Sequence, residues 1–303
     1  MKKRGLALVL AGCLVFGLAG CGGQKTTEET EASPSATVET GTPETTTPAA
    51  ATEESEIQVF IAASLNTVMT ELANKYKETH PEVKITFNAD SSGTLMTQIE
   101  EGYECDIFFS AAQKQMDQLE TDGLLVDGTR ANVVNNQVVV ITRKDSGTKV
   151  SGLETLDRAE SIALAGGSVP VGKYTRQALL ELGFVEGADD ASLITTQEIS
   201  NALGGVEISE QDNVSKVLTA VVEGSCEVGT TYYSDTYGYE DELTILETVS
   251  YSLTGNVIYP IARVVNAEAS DAQSAAADDF LAYVLSDEAK AVFDAYYFDT
   301  NVE

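Results

Sequence analysis

From Ile57 onward the apolar residues fall into two rhythms. In IQVFIAA (57–63) they are nearly continuous, as in a strand covered on both faces. From Leu65 they recur at 68, 69, 72, 73 and 76, one face of a helix, until His80-Pro81 stops it. The hand-over then repeats. VKITFNA (83–89) is a strand, the helix after Gly93 carries Leu95, Met96 and Ile99, CDIFFSA (105–111) is a strand, and a helix through Met116 and Leu119 ends at Gly123. NQVVVITR (136–143) reads as one buried strand of β-branched residues. Beyond it lie a strand over SIALAGG (161–167), a helix from Val171 to Gly183, and a helix over DNVSKVLTAVVEG (212–224). A short strand, CEVGTTYY (226–233), and a longer one, GNVIYPIARVVN (255–266), precede two amphipathic helices around 280–284 and 292–296. Strand-then-helix repetition predicts an α/β fold, with mostly parallel sheet flanked by helices and ligands bound at the strand C-terminal ends. About 250 residues suit one large domain or two lobes.

The first residues follow neither rhythm. MKKR is a cationic start, and GLALVLAGCLVFGLAG (5–20) is an apolar run too short for a comfortable membrane span. It ends in Leu18-Ala19-Gly20-Cys21, which resembles the bacterial lipobox, so residues 1–20 are expected to be a lipoprotein signal peptide and Cys21 the lipidated residue. The alternative is an uncleaved anchor helix; either way the protein is exported and held at a membrane. Residues 22–55 are Thr, Glu, Ser, Pro and Ala with almost nothing apolar, a composition that cannot offset its own ordering entropy. With Cys21 they form a 21–55 tether, a coil spanning on the order of 30 Å.

Charge and cysteines narrow the function. Forty-eight acidic residues against 18 basic ones give a net charge of −30, which excludes nucleic acid as a partner. Cys105 and Cys226 sit in apolar runs and read as two separate buried thiols, with a disulfide as the alternative. The one histidine, His80, stands at a helix end as a solvent-exposed cap, and no nucleophile elbow, Cys-His pair, P-loop or metal spacing is present, so no catalytic residue or enzyme is expected.

Four strand-to-helix junctions carry the remaining signal: AASL (62–65), SSGT (91–94), PVGK (170–173) and DNVS (212–215). Each sets small or hydroxyl residues at a helix start. Helix capping explains any one of them at about 1 kcal/mol. Four on one scaffold, with glycines that admit close approach to backbone N–H groups, point instead to an anion site.

FIAASLNTVMTELANKYKE, FNADSSGTLMTQIEEG and CDIFFSAAQKQMDQL resemble the molybdate-binding proteins of ABC transporters, the ModA type. The likeness continues in order through VPVGKYTRQALLELG, DNVSKVLTAVVEGSCEVGTTYYSD and SDEAKAVFDAYYF, covering 56–303. It implies a two-lobed periplasmic-binding-protein-like fold, with lobes 56–137 plus 258–303 and 138–257, joined near VVVIT and VIYPIA. It also implies an oxyanion, molybdate or tungstate, held by the Ser64, Ser92 and Tyr232 hydroxyls and by the backbone N–H groups of Val171 and Val214. There is no directly coordinated metal and no cofactor. The partner implied is an ABC permease, served by a monomer lipid-anchored on the extracytoplasmic face of the cell membrane. Sulfate or phosphate capture, or a sensor or interaction role for the same clamshell, are the alternatives.

The chain departs from the family in a short GGS before VPVG, in Val171 where alanine is usual, in Cys105, and in Asp90 directly before the serines. A site of donors alone suits an oxyanion without protons, whereas phosphate keeps one and wants an acceptor. Asp90 is either that acceptor or a solvated residue at a strand end.

Overall fold

The computed structural model describes residues 54–186 and 189–302; the expected signal peptide, Cys21 and the tether up to residue 53 lie outside the described residues. The chain opens with β1 (Ser55–Ala62), α1 (Asn66–Thr79), β2 (Val83–Asp90), α2 (Ser92–Glu100), β3 (Ile107–Phe109), α3 (Gln113–Thr121) and β4 (Ala131–Asn136). It continues with β5 (Val138–Arg143), β6 (Ser161–Ala165), α4 (Pro170–Glu181), α5 (Thr196–Ala202), β7 (Glu207–Gln211), α6 (Val214–Val222), β8 (Val228–Tyr232), β9 (Leu243–Thr248) and α7 (Tyr251–Thr254). β10 (Val257–Arg263), α8 (Asp271–Val284) and α9 (Asp287–Ala295) complete it.

Two five-stranded sheets result, ordered β2-β1-β3-β10-β4 and β7-β6-β8-β5-β9. In each, four strands run one way and one is reversed, β10 in the first and β5 in the second. The expected mostly parallel sheets flanked by helices are therefore both present, as two lobes. The central strands are apolar along their length because helices cover both faces: Ile57, Val59, Phe60 and Ile61 of β1 and Val138 to Ile141 of β5 are all buried. Each flanking helix turns one stripe inward, Val68, Met69, Leu72 and Tyr76 on α1 and Val214, Val217, Leu218 and Val221 on α6.

The expected single strand 136–143 is a different object. It is split at Gln137 into the end of β4 and the start of β5, which belong to different sheets. Two asparagine side chains make the split affordable in hydrogen bonds. The Asn135 Oδ1 accepts the N–H of Asn136 (2.9 Å) and of Val257 (2.8 Å), and the Asn136 Oδ1 accepts that of Gln137 (2.9 Å). The Gln137 amide then donates to the carbonyl of Val249 (2.8 Å), tying the outward crossing to the return.

His80 is less solvated than a bare cap: its ring stacks on Tyr76 at 4.1 Å, with Nε2 3.3 Å from Asp279 on α8. Cys105 and Cys226 are both buried and unpaired. Among the described residues, no helix is long and apolar enough to cross a membrane.

One buried cation fixes the start of α4. Arg176 on α4 is fully buried, and donates to the carbonyls of Ile194 (2.7 Å), Ala165 (2.7 Å) and Gly172 (2.9 Å) and to the Thr196 hydroxyl (3.2 Å). Burial pushes its guanidinium below its usual value, and Glu210 at 3.9 Å opposes that. Gly172 lies so close to the end of β6 that a Cβ there would sit 2.2 Å from the Gly166 carbonyl oxygen. Helix α4 is thus clamped to the end of β6 by a glycine contact and a buried guanidinium. Arg176→Met should lower the free energy of unfolding by about 3–5 kcal/mol, because it strands buried carbonyls that charge-assisted donors had satisfied. Lys84→Met, which removes the exposed pair with Glu56, should change little. Urea unfolding of both variants checks this, and equal small losses would contradict the clamp.

Candidate functional site

The parallel strands end at the cleft between the sheets, and the helices that follow them begin there. β1 runs into a single 3-10 turn, Ala63–Leu65, ahead of α1. β2 ends at Asp90 and α2 starts at Ser92, while α4 and α6 start shortly after β6 and β7. Ser64, Ser92, Val171, Val214 and Tyr232 all line one narrow cavity of about 10 Å³, with Asp90 on its wall. No lysine, arginine or histidine is among the described residues that line it.

The capping explanation can be tested bond by bond. At α2 the cap is Ser91, whose hydroxyl oxygen accepts the Thr94 N–H at 3.2 Å. At α6 it is Asn213, whose Oδ1 accepts the Lys216 N–H at 3.0 Å. Ser92 does neither. Its oxygen accepts the N–H of Ala111 at 2.9 Å, which leaves its own proton to donate. Ser64 caps nothing either; its hydroxyl meets the Tyr259 hydroxyl at 2.9 Å. Val171 and Val214 occupy the first turns of α4 and α6, where a backbone N–H has no intrahelical acceptor.

Tyr232 closes the set from the end of β8. Its side chain is buried, and its hydroxyl has no hydrogen-bond partner among the described residues. Burial pushes that phenol well above its ordinary value, so it stays protonated and can only gain by donating. The turn after it is held by Asp235, whose carboxylate accepts the Thr231 hydroxyl (2.6 Å) and the Tyr232 N–H (2.9 Å). Enclosure raises the Asp235 carboxyl to about 6, with those two hydrogen bonds pulling the other way.

The two lobes touch across the mouth of the cavity. Asp90 is not merely solvated at a strand end: one carboxylate oxygen accepts the Ser91 N–H (2.7 Å) and the Asn213 amide of the other lobe (3.1 Å). Lys114 on α3 donates to Asp190 at 2.7 Å, which holds that carboxyl well below the usual range. Gly93 faces the Ser168 backbone, and a Cβ on it would lie 2.7 Å from that carbonyl oxygen. The glycine of SSGT therefore admits the opposite lobe. Neither this contact nor Tyr259 and Asn136 behind Ser64 is legible in sequence, because those contacts join residues distant in the chain.

The arrangement is a closed cleft of hydroxyl and peptide donors without a cation. Helix N-termini contribute roughly half a positive charge each, which suits an anion that must later be released.

Comparison with known proteins agrees with this chemistry. Residues 57–299 match the family model of bacterial extracellular solute-binding proteins. The molybdate-binding protein ModA of Haemophilus influenzae is 28% identical over 249 residues, covering 80% of this chain and 89% of that protein. The periplasmic molybdate-binding protein of Azotobacter vinelandii superposes with a TM-score of 0.65 at 18% identity, over 80% of this chain and 98% of its own. The sulfate-binding protein SubI of Mycobacterium tuberculosis superposes at 0.63 with 14% identity, over 80% of this chain and 86% of its own, a likeness of fold. The chain belongs to the bacterial extracellular solute-binding protein family, and within it is of the ModA type.

Proposed function

We propose that this protein captures molybdate, and tungstate equally by chemistry, between its two lobes and delivers it to the permease of an ABC importer. On this reading the lobes are 56–137 plus 258–303 and 138–257, and the protein works as a monomer, lipid-anchored through Cys21 on the extracytoplasmic face. The observation that carries the reading is the buried Tyr232 hydroxyl, which lacks a partner among the described residues in a cavity that also receives Ser64, Ser91 and Ser92 and the starts of three helices. A buried donor left unpaired costs about 1–3 kcal/mol, and a tetrahedral acceptor in that space removes the cost.

Ser64, Ser92 and Tyr232 are the side-chain donors, and Val171 and Val214 give backbone N–H groups. Several helix N-termini offset most of a dianion without fixing a countercharge in the site. The match to a proton-free oxyanion follows from the donors; the one carboxylate on the cavity wall, Asp90, already accepts the Ser91 N–H and the Asn213 amide on one oxygen. The names of the sequence relatives support molybdate. The fold likeness to a sulfate-binding protein does not distinguish the ions, and sulfate is as proton-free as molybdate, so the donor set argues only against phosphate and the relatives carry the choice of molybdate.

Molybdate and tungstate should raise the melting temperature of residues 56–303, by a stabilisation of about 2.7 kcal/mol at a hundredfold excess over Kd. Sulfate and phosphate at equal concentration should do less. Ser64→Ala, Ser92→Ala and Tyr232→Phe should each weaken molybdate binding by calorimetry about tenfold to a hundredfold. Val171→Ala and Val214→Ala should leave it nearly unchanged, because a peptide N–H survives truncation. A dominant shift with phosphate would overturn the reading and make Asp90 its acceptor.

Gly93→Ala separates closure from folding. Alanine favours a helix by up to about 1 kcal/mol over glycine, so a ligand-free domain whose lobes stand apart should be no less stable. Its Cβ nevertheless meets the Ser168 carbonyl oxygen when the lobes are closed, and molybdate affinity should fall about tenfold or more. Undiminished affinity would show that binding does not need this closed approach.

A further inference from the structure

We infer that Asn136 and Tyr259 form a hydrogen-bond relay that commits the Ser64 hydroxyl to donate into the cavity, making Tyr259 a positioning residue that selects proton-free oxyanions. The inference rests on the oxyanion reading above and goes further, to what sets the polarity of one donor.

The relay can be read from its fixed end. The Asn136 Oδ1 accepts the Gln137 N–H at 2.9 Å and faces the Ser234 N–H at 3.5 Å. Both are backbone donors, so the oxygen side of the amide is settled and Nδ2 carries the hydrogens the other way. Nδ2 donates to the Ser234 hydroxyl (2.8 Å) and to the Tyr259 hydroxyl (3.1 Å). The Tyr259 oxygen is therefore an acceptor towards Asn136, and its one proton needs an acceptor of its own.

Tyr259 is fully buried, and its other hydrogen-bond partner is the Ser64 oxygen at 2.9 Å. Were Ser64 to donate to Tyr259 instead, the phenolic proton would be buried without an acceptor, which is the costlier arrangement. Burial, with Asp235 nearby, also holds this phenol well above its ordinary value, so its proton remains. Tyr259 thus donates to Ser64. Ser64 has no proton to spend on the protein and directs its own into the cavity it lines.

Ser92 reaches the same polarity by a shorter route, through the Ala111 N–H. Both serines are committed donors, one set by a backbone amide and one by a three-residue relay. A ligand oxygen that carries a proton towards Ser64 finds no acceptor there. The relay also links the lobes, since Ser234 follows β8, Asn136 ends β4 at the crossing, and Tyr259 lies on β10.

The test uses residues 56–303 of wild type, Tyr259→Phe, Ser64→Ala and the double variant, titrated by calorimetry with sodium molybdate and sodium phosphate. Phenylalanine keeps the ring contacts to Tyr232 (5.8 Å) and Phe298 (5.7 Å), and the melting temperature of each variant reports folding. Tyr259→Phe frees Ser64 to point either way. It should weaken molybdate about tenfold and narrow the molybdate-to-phosphate ratio by a similar factor. In the Ser64→Ala background it should change molybdate affinity by less than about twofold. Asn136→Leu, which removes the amide donor one step earlier, should act in the same direction as Tyr259→Phe. Wild type that binds no oxyanion overturns the functional reading and the relay together. Wild-type binding that Tyr259→Phe leaves intact, or a Tyr259→Phe loss repeated in full without the Ser64 hydroxyl, overturns the relay alone.

Discussion

A doubly charged oxyanion leaves water only where other donors replace those that water supplied, and they must already point at it, because a donor that can turn away is worth less than the one it displaces. On the reading proposed here, that requirement organises the cleft. Ser92 is turned by the Ala111 N–H, Ser64 by Tyr259, and the N–H groups of Val171 and Val214 by the helices they begin. Tyr232 is held at the end of β8, its turn pinned by Asp235. None of these donors carries a charge. The chain as a whole, at −30, does not need to become locally basic to hold an anion.

The topology serves the same end. Parallel strands in both sheets finish at one cleft, so the helices that follow them aim their N-termini into it. The reversed strands, β5 and β10, are the ones that carry the chain into and out of the second lobe. The crossings are fastened by side chains of Asn135, Asn136 and Gln137, which take over backbone hydrogen bonds that neither sheet supplies. Across the cleft, Asp90 with Asn213 and Lys114 with Asp190 join the lobes, and Gly93 lets their backbones meet. These contacts are few and partly exposed, as suits an interface that opens.

How much of this was legible depended on how local each signal is. β1, α1, α4 and α6 showed in the hydrophobic period because each buries a stripe or a run. β7 and β9 escaped because they are edge strands: Ile208 is the only apolar residue in EISEQ, and most of LTILET keeps solvent contact. β4 was hidden in the run of β5, since the break at Gln137 is made by amide side chains rather than by glycine or proline. The junction serines stood out in sequence, but capping and ligand donation look alike there; only the bonds of Ser91 and Ser92 tell them apart. Tyr259 left no trace, because its partners Ser64 and Asn136 lie 195 and 123 residues away.

The central claim is that five uncharged groups from both lobes converge on one oxyanion. A crystal structure of residues 56–303 grown with molybdate, with anomalous data collected above the molybdenum edge, tests it most directly. The account predicts one anomalous peak between the lobes, with oxygens at about 2.7–3.1 Å from the Ser64, Ser92 and Tyr232 hydroxyls and the N–H groups of Val171 and Val214. A peak bound elsewhere, or one in the cleft held by lysine or arginine side chains while Tyr232 stays unpaired, would contradict it.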